Sequence, residues 1–183
     1  VIGFNKTATT SIHNFFSKNG LSALHAGDSP WKIEKFQCFS DNGNKRDWKK
    51  LSDFYIKVFC CTLKPPERKL SGDWLDQATG LSKAKLEGVH LLLPGHGNHG
   101  PTLEIFTYKD MNDSKPMMAN YTGFTHIAFE VDDVDQILKE ALTNGGKLLG
   151  NVTEKKVEGV GLLKFLYFRD PEGNIVEIQS WKQ

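Results

Sequence analysis

Polar and apolar residues alternate through "GFTHIAFEVDD" (123–133), the period of a strand with one buried face. Thr125, Ile127, Phe129 and Val131 fall on one side; Phe124, His126, Ala128 and Glu130 fall on the other. The period then changes. In "DVDQILKEALTNGG", Val134, Ile137, Leu138 and Leu142 recur at helical spacing, with Asp133 placed to cap the start and Gly145–Gly146 to stop the helix. Three further strands are predicted in "KLLGNVTEKKVE", "GLLKFLYFRD" and "GNIVEIQSW", the last two joined by a tight turn at "DPEGN". This half reads β-α-β-β-β.

The preceding half can be laid over it. "KIEKFQCFS" (32–40) is a strand candidate, and 47–59 is a helix buried along Leu51, Phe54, Tyr55 and Val58. "LEGVHLLLPG" and "PTLEIFTY" are strands separated by "HGNHG", and "PPERKLSGDWLDQATGLSKAK" reads as a long loop with one helical turn. "LEIF" (103–106) and "VEIQ" (176–179) take the same place in each half. The repetition predicts an α+β fold in which paired βαβββ modules curve a mixed sheet around a cleft. Module one is expected over 32–110 and module two over 122–182, together one domain at 32–182. Residues 1–31 form a separate strand–loop–helix extension.

Composition narrows the function classes. The chain has 183 residues, 39% of them hydrophobic and 25% charged, which is enough apolar material for a core. With 23 basic and 22 acidic residues the net charge is +1, so no electrostatic footprint for nucleic acid or an anionic membrane is expected. No apolar run is long enough to span a bilayer, and "VIGFNKTATTS" does not read as a signal peptide. Three cysteines, two of them adjacent, make a poor disulfide framework, so a cytoplasmic setting is expected.

Candidate chemistry comes from the strand faces. Glu104 lies opposite the Leu103 and Ile105 face of its strand, and Glu177 opposite the Val176 and Ile178 face. With His126, each of three strands carries one ionisable side chain toward the expected cleft. One imidazole and two carboxylates suit a divalent ion, with positions left for water or substrate. Taken singly, a strand histidine is more often structural and a strand glutamate is usually solvated. Their equivalent places in a duplicated pattern favour a joint role. An ion gripping two neighbouring substrate oxygens acidifies the adjacent C–H, and Glu104 or Glu177 serves as the base that takes and returns the proton. His90, on the strand before Glu104, reads as structural, and His96 and His99 as members of a glycine-flanked hairpin loop.

The stretches "THIAFEVDDVD", "FRDPEGNIVEIQSW" and "DFYIKVF" resemble the vicinal oxygen chelate superfamily, which includes glyoxalase I, methylmalonyl-CoA epimerase, extradiol dioxygenases and bleomycin-resistance proteins. The resemblance runs from about residue 46 to 182. It implies metal ligands on the first and last strands of each module, which carry over onto Glu104, His126 and Glu177. It also implies a divalent ion (Zn, Ni, Mn or Fe), a small-molecule substrate, a homodimer, and lyase or isomerase chemistry of the glyoxalase type. An acyl-CoA epimerase-like enzyme is the alternative, as is a metal-free small-molecule-binding protein stacking a flat ligand on Phe106, Tyr108, Phe124 and Trp181. The fourth ligand departs from the pattern. His126 precedes Asp133 by seven residues, and seven residues before Asp47 stands Ser40, a poor ligand, with Gln37 or Cys38 as substitutes if the connection is longer.

The front end has its own resemblance. "GFNKTATTSIHNFF" is similar to the phosphosulfate-binding loop of sulfotransferases, with Lys6, Thr7, Thr9, Thr10 and Ser11 ahead of a helix. Some 30 residues cannot build the full nucleotide domain, so a fused fragment, with or without a retained anion site, is expected.

Overall fold

The computed structural model describes residues 35–39, 47–112 and 116–182. Its strands are β1 (Lys35–Phe39), β2 (Thr62–Ser71), β3 (Lys85–Leu92), β4 (Thr102–Tyr108), β5 (His126–Glu130), β6 (Lys147–Leu148), β7 (Thr153–Val157), β8 (Gly161–Arg169) and β9 (Ile175–Lys182). The helices are α1 (Trp48–Phe59), α2 (Asp73–Thr79) and α3 (Val134–Thr143). Both long helices start as their sequence demands. Asp47 accepts a hydrogen bond from the Lys49 N–H and Asp133 from the Gln136 N–H, each at 3.0 Å. Such a cap contributes about 1 kcal/mol.

Hydrogen bonding divides the strands into two sheets, one per module. The first runs β1-β4-β3-β2 and the second β5-β9-β8-β6, with β7 also pairing β8. In each module the opening strand lies parallel to the closing one, β1 on β4 and β5 on β9, while the remaining pairs are antiparallel. This is the paired βαβββ arrangement of an α+β fold. The faces predicted to be apolar meet in one core: Leu51, Phe54, Tyr55 and Val58 of α1 pack with Leu103 and Ile105 of β4, Phe129 of β5 and Ile178 of β9. Phe59 stacks on Phe129 with ring centroids 4.0 Å apart, so the first helix buries its end against the second module.

A polar clamp reinforces that join. Asp170, only 1% exposed, sits at the β8–β9 turn. Its Oδ2 accepts from Tyr55 Oη of α1 (3.0 Å) and Asn174 Nδ2 (2.9 Å). Its Oδ1 accepts from the N–H groups of Glu172 and Asn174, both at 2.9 Å. Four donors thus converge on one buried carboxylate, and the "DPEGN" turn is locked to α1.

The stretch read as a long loop is the main correction to the expected fold. It contains β2 from Pro65 onward and the two turns of α2. β2 is an edge strand on β3 with a mostly exposed side-chain pattern, and its register shifts between Lys64 and Arg68, where Pro65 and Pro66 fall. Proline has no N–H to give a ladder, so an edge at a register shift is where it is tolerated. α2 is anchored by Leu75, its buried residue, against Ala84, Leu86 and Phe106. Likewise the segment expected as one strand from Lys147 is split into β6 and β7.

The adjacent cysteines take opposite environments. α1 ends with Cys60 in the left-handed conformation, exposed, while Cys61 is buried. Burial pushes the Cys61 thiol up to about 12, with Cys60 next door adding to the shift. A thiol reagent applied to the folded protein at about pH 8 is therefore expected to label Cys60 and spare Cys61 until the chain is denatured. Peptide mapping by mass spectrometry reads this out; equal labelling of both in the native state would contradict the burial. Among the described residues, no helix is long and apolar enough to cross a membrane.

Candidate functional site

Parallel pairing of β5 with β9 brings two of the three predicted site residues together. His126 Nε2 lies 3.3 Å from Glu177 Oε2, with the side chains only 12% and 13% exposed. The other ring nitrogen is engaged: His126 Nδ1 is 3.1 Å from Thr125 Oγ1. On the opposite flank of Glu177, Tyr167 occupies the register position directly across on β8. The Tyr167 hydroxyl donates to the Glu177 carboxylate, and its ring stands edge-on to the imidazole at 5.1 Å. Burial first, and the Glu177 charge second, push the Tyr167 phenol up to about 12, so it stays a neutral donor near neutral pH.

This geometry has a chemical consequence. When Nδ1 carries the ring proton and donates it to Thr125, Nε2 turns a lone pair toward a carboxylate oxygen. Two acceptors at that distance need a proton or a cation between them. Donors about 2.1 Å from a shared ion lie roughly 3.0–3.4 Å apart at right-angle to tetrahedral geometry, so the His126–Glu177 spacing fits neighbouring ligands. The donor types, imidazole and carboxylate, fit as well.

Module one is built differently. Glu104 is buried, and its partner is His90, directly opposite on β3, with Nε2 3.4 Å from Oε1. Among the described residues, no group of three or more His, Cys, Asp or Glu side chains is arranged to hold a metal ion. Among the described residues there are therefore two histidine–glutamate pairs, one per sheet. The fourth position is also defined by register. Gln37 faces Glu104 as Ala128 faces Glu177, so Lys35 takes the backbone position that His126 holds in module two. Cys38 is registered with Ile105, and Ser40 lies outside the described residues.

The aromatic positions are only partly open. Phe106 is buried and packs with Leu75, Ala84 and Leu86, with Tyr108 against the same cluster. α2 thus covers a surface that the sequence had left free for a flat ligand. Phe124 is 56% exposed just before β5, and the Trp181 Nε1 is buried with no hydrogen-bond partner. His96 and His99 stand exposed in the β3–β4 loop.

The family model of the Glyoxalase/Bleomycin resistance protein/Dioxygenase superfamily matches residues 44–178. The chain belongs to this superfamily. Among solved structures it is similar to a glyoxalase family protein from Bacillus cereus, at TM-score 0.68 and 16% identity over 87% of this chain and 100% of that one. A glyoxalase family protein from Enterococcus faecalis matches at TM-score 0.52 and 18% identity, covering 81% and 96% respectively. The glyoxylase/bleomycin resistance protein/dioxygenase domain from Frankia sp. EAN1pec matches at TM-score 0.52 and 14% identity, covering 84% and 100%. These identities speak for the glyoxalase-superfamily fold alone. No curated protein sequence matches the chain. The sulfotransferase-like stretch at 1–31 lies outside both the matched residues and the described ones.

Proposed function

We propose that the chain is a metal-dependent lyase or isomerase of the glyoxalase type, removing a proton next to a carbonyl in a small substrate with two adjacent oxygens. The observation that supports this reading best is the buried approach of His126 Nε2 to Glu177 Oε2 with Nδ1 already engaged by Thr125. In this reading His126 and Glu177 would hold a divalent ion (Zn, Ni, Mn or Fe), and Glu104, which lies against His90 and is not grouped with them, would have to approach that pair to serve as the third donor. When bound, the ion polarises the substrate oxygens and acidifies the neighbouring C–H. Tyr167 orients the Glu177 carboxylate through its hydroxyl. Glu104 is the base that takes the proton and returns it to the neighbouring carbon, and Glu177 is the alternative base. Burial of both carboxylates keeps water from competing for the proton. The homodimer, the cytoplasmic setting and a separate extension at 1–31 belong to the same reading.

A metal-free binding protein is the second reading. It is favoured by the two-member grouping of the ionisable side chains, in which His126 and Glu177 share a proton instead of an ion. An acyl-CoA epimerase-like activity would use the same residues as the isomerase.

Turnover of a 2-oxoaldehyde–thiol adduct, followed before and after chelation, separates them. The enzyme reading expects turnover that is lost on chelation and restored by adding one of the four ions. Absence of turnover with every ion, alongside tight binding of the adduct, would leave the binding protein.

A further inference from the structure

We propose that the connector 116–125 is an apolar wall of the substrate site. Arg169 ties it to the site face of module two, and Phe124 with Met117, Met118 and Tyr121 selects substrates that carry a large apolar substituent, such as an aryl group, beside the two oxygens. The inference rests on the proposed binding of a small substrate at His126 and Glu177.

Met117, Met118, Tyr121 and Phe124 are all between 37% and 56% exposed. Single exposed apolar residues are ordinary, but a run of them on one connector marks a contact surface. The chain holds this run beside the candidate site. β8 sends Leu166 and Phe168 into the core, so Tyr167 and Arg169 project from its other face, the one that carries Glu177. Arg169 is one pleat repeat, about 7 Å, from Tyr167. Its guanidinium grips the connector: Nη2 donates to the Met117 carbonyl (2.6 Å) and to Met118 Sδ (3.6 Å), and Nη1 donates to the Gly173 carbonyl (2.7 Å). The connector then turns into β5. The Tyr121 N–H donates to the Met118 carbonyl at 3.0 Å, and Gly123 takes a φ of 109°. A Cβ on Gly123 would meet nothing, so glycine is needed there for the turn and not for space. Phe124 follows at once, two residues before His126 and on the same side by strand alternation. Across the sheet, Tyr167 stands edge-on to His126 at 5.1 Å and Phe165 edge-on to Tyr167 at 6.2 Å. Apolar surface therefore borders the imidazole along the chain as well as across the sheet. A substrate held by its oxygens at His126 and Glu177 meets that surface with the group it carries next to them.

The test compares thiol adducts of two 2-oxoaldehydes, one bearing a phenyl group and one a methyl group, on the full chain. Preference is read as the ratio of kcat/KM values and, after chelation, as the ratio of Kd values. One methylene in an apolar pocket already discriminates by roughly 10–200-fold. Native protein is therefore expected to favour the phenyl adduct by at least about tenfold, and Phe124→Ser to bring the two within about threefold of each other. Arg169→Gln, too short to hold both carbonyls, is expected to shrink the preference in the same direction. So is Met118→Ser, which covers a misfolded Phe124→Ser. The same ratio in native protein and in Phe124→Ser overturns the wall and leaves the proposed function standing. A Phe124→Ser chain that passes from dimer to monomer in sedimentation with its preference intact also overturns it, the connector then being an interface between copies. Native protein that neither turns over nor binds either adduct overturns the proposed function, and the inference falls with it.

Discussion

Glutamine in place of Glu177 is expected to lower turnover of a 2-oxoaldehyde–thiol adduct by at least about a hundredfold, and metal affinity by about 10–100-fold. The substitution keeps the volume and removes the charge. The amide then faces His126 Nε2 with either a donor or a weak acceptor, and neither grips a cation as a carboxylate does. A second readout checks that the loss is electrostatic. The Tyr167 phenol is raised mainly by burial and then by the Glu177 charge. Its titration, followed by phenolate absorbance, should therefore move down from about 12 in the variant yet stay above the ordinary tyrosine value of 10.0. A Tyr167 titration unmoved by Glu177→Gln would separate the two side chains and remove the basis for this prediction.

Alanine in place of Asp170 is expected to cost about 3 kcal/mol or more of folding stability, read from urea denaturation. It would strand four buried or half-buried donors at once, those of Tyr55, Asn174 (twice) and Glu172. Tyr55→Phe removes one donor and should cost roughly 1–2 kcal/mol. The pH dependence has a definite sign. Burial raises the Asp170 carboxyl above 3.8, and the four hydrogen bonds only partly oppose it. The folded state thus binds this proton more tightly than the unfolded state. The stability that protonation adds is fully present below the unfolded value and is lost as pH rises through the raised folded value. Because the Tyr55 hydroxyl favours the ionised carboxylate, Tyr55→Phe should cost more near neutral pH than in acid. An equal cost at both would mean that the bond does not discriminate between the two protonation states.

Much of this architecture is written plainly in the chain. Asp47 and Asp133 cap as their places before apolar helical stripes require, and strict alternation puts Leu103, Ile105, Phe129 and Ile178 in the core. The "DPEGN" turn, centred on Glu172, even places Tyr167 opposite Glu177, although its phenol was not among the expected site residues. Other features obey weaker signals. β2 is a polar edge strand carrying two prolines, and its composition resembles a loop because one long side of it needs no burial. The contact between His90 and Glu104 depends on a hairpin centred on Gly97, inside the loose sequence "HGNHG", where loop length does not fix register as a tight turn does. The expectation of a structural His90 named no partner for it, and the register supplies one in Glu104. The opening strand of module one offered Gln37, Cys38 or Ser40 in the sequence, whereas its register places Lys35 at the backbone position equivalent to His126.

The account stands on a cation held where the His126 imidazole meets the Glu177 carboxylate. Crystals of the full chain grown with Mn(II), with anomalous differences collected at the manganese edge, address it most directly. The predicted result is a peak about 2.2 Å from both His126 Nε2 and a Glu177 oxygen. Manganese bound elsewhere, or well-ordered side chains at 126 and 177 with no peak between them, would contradict it.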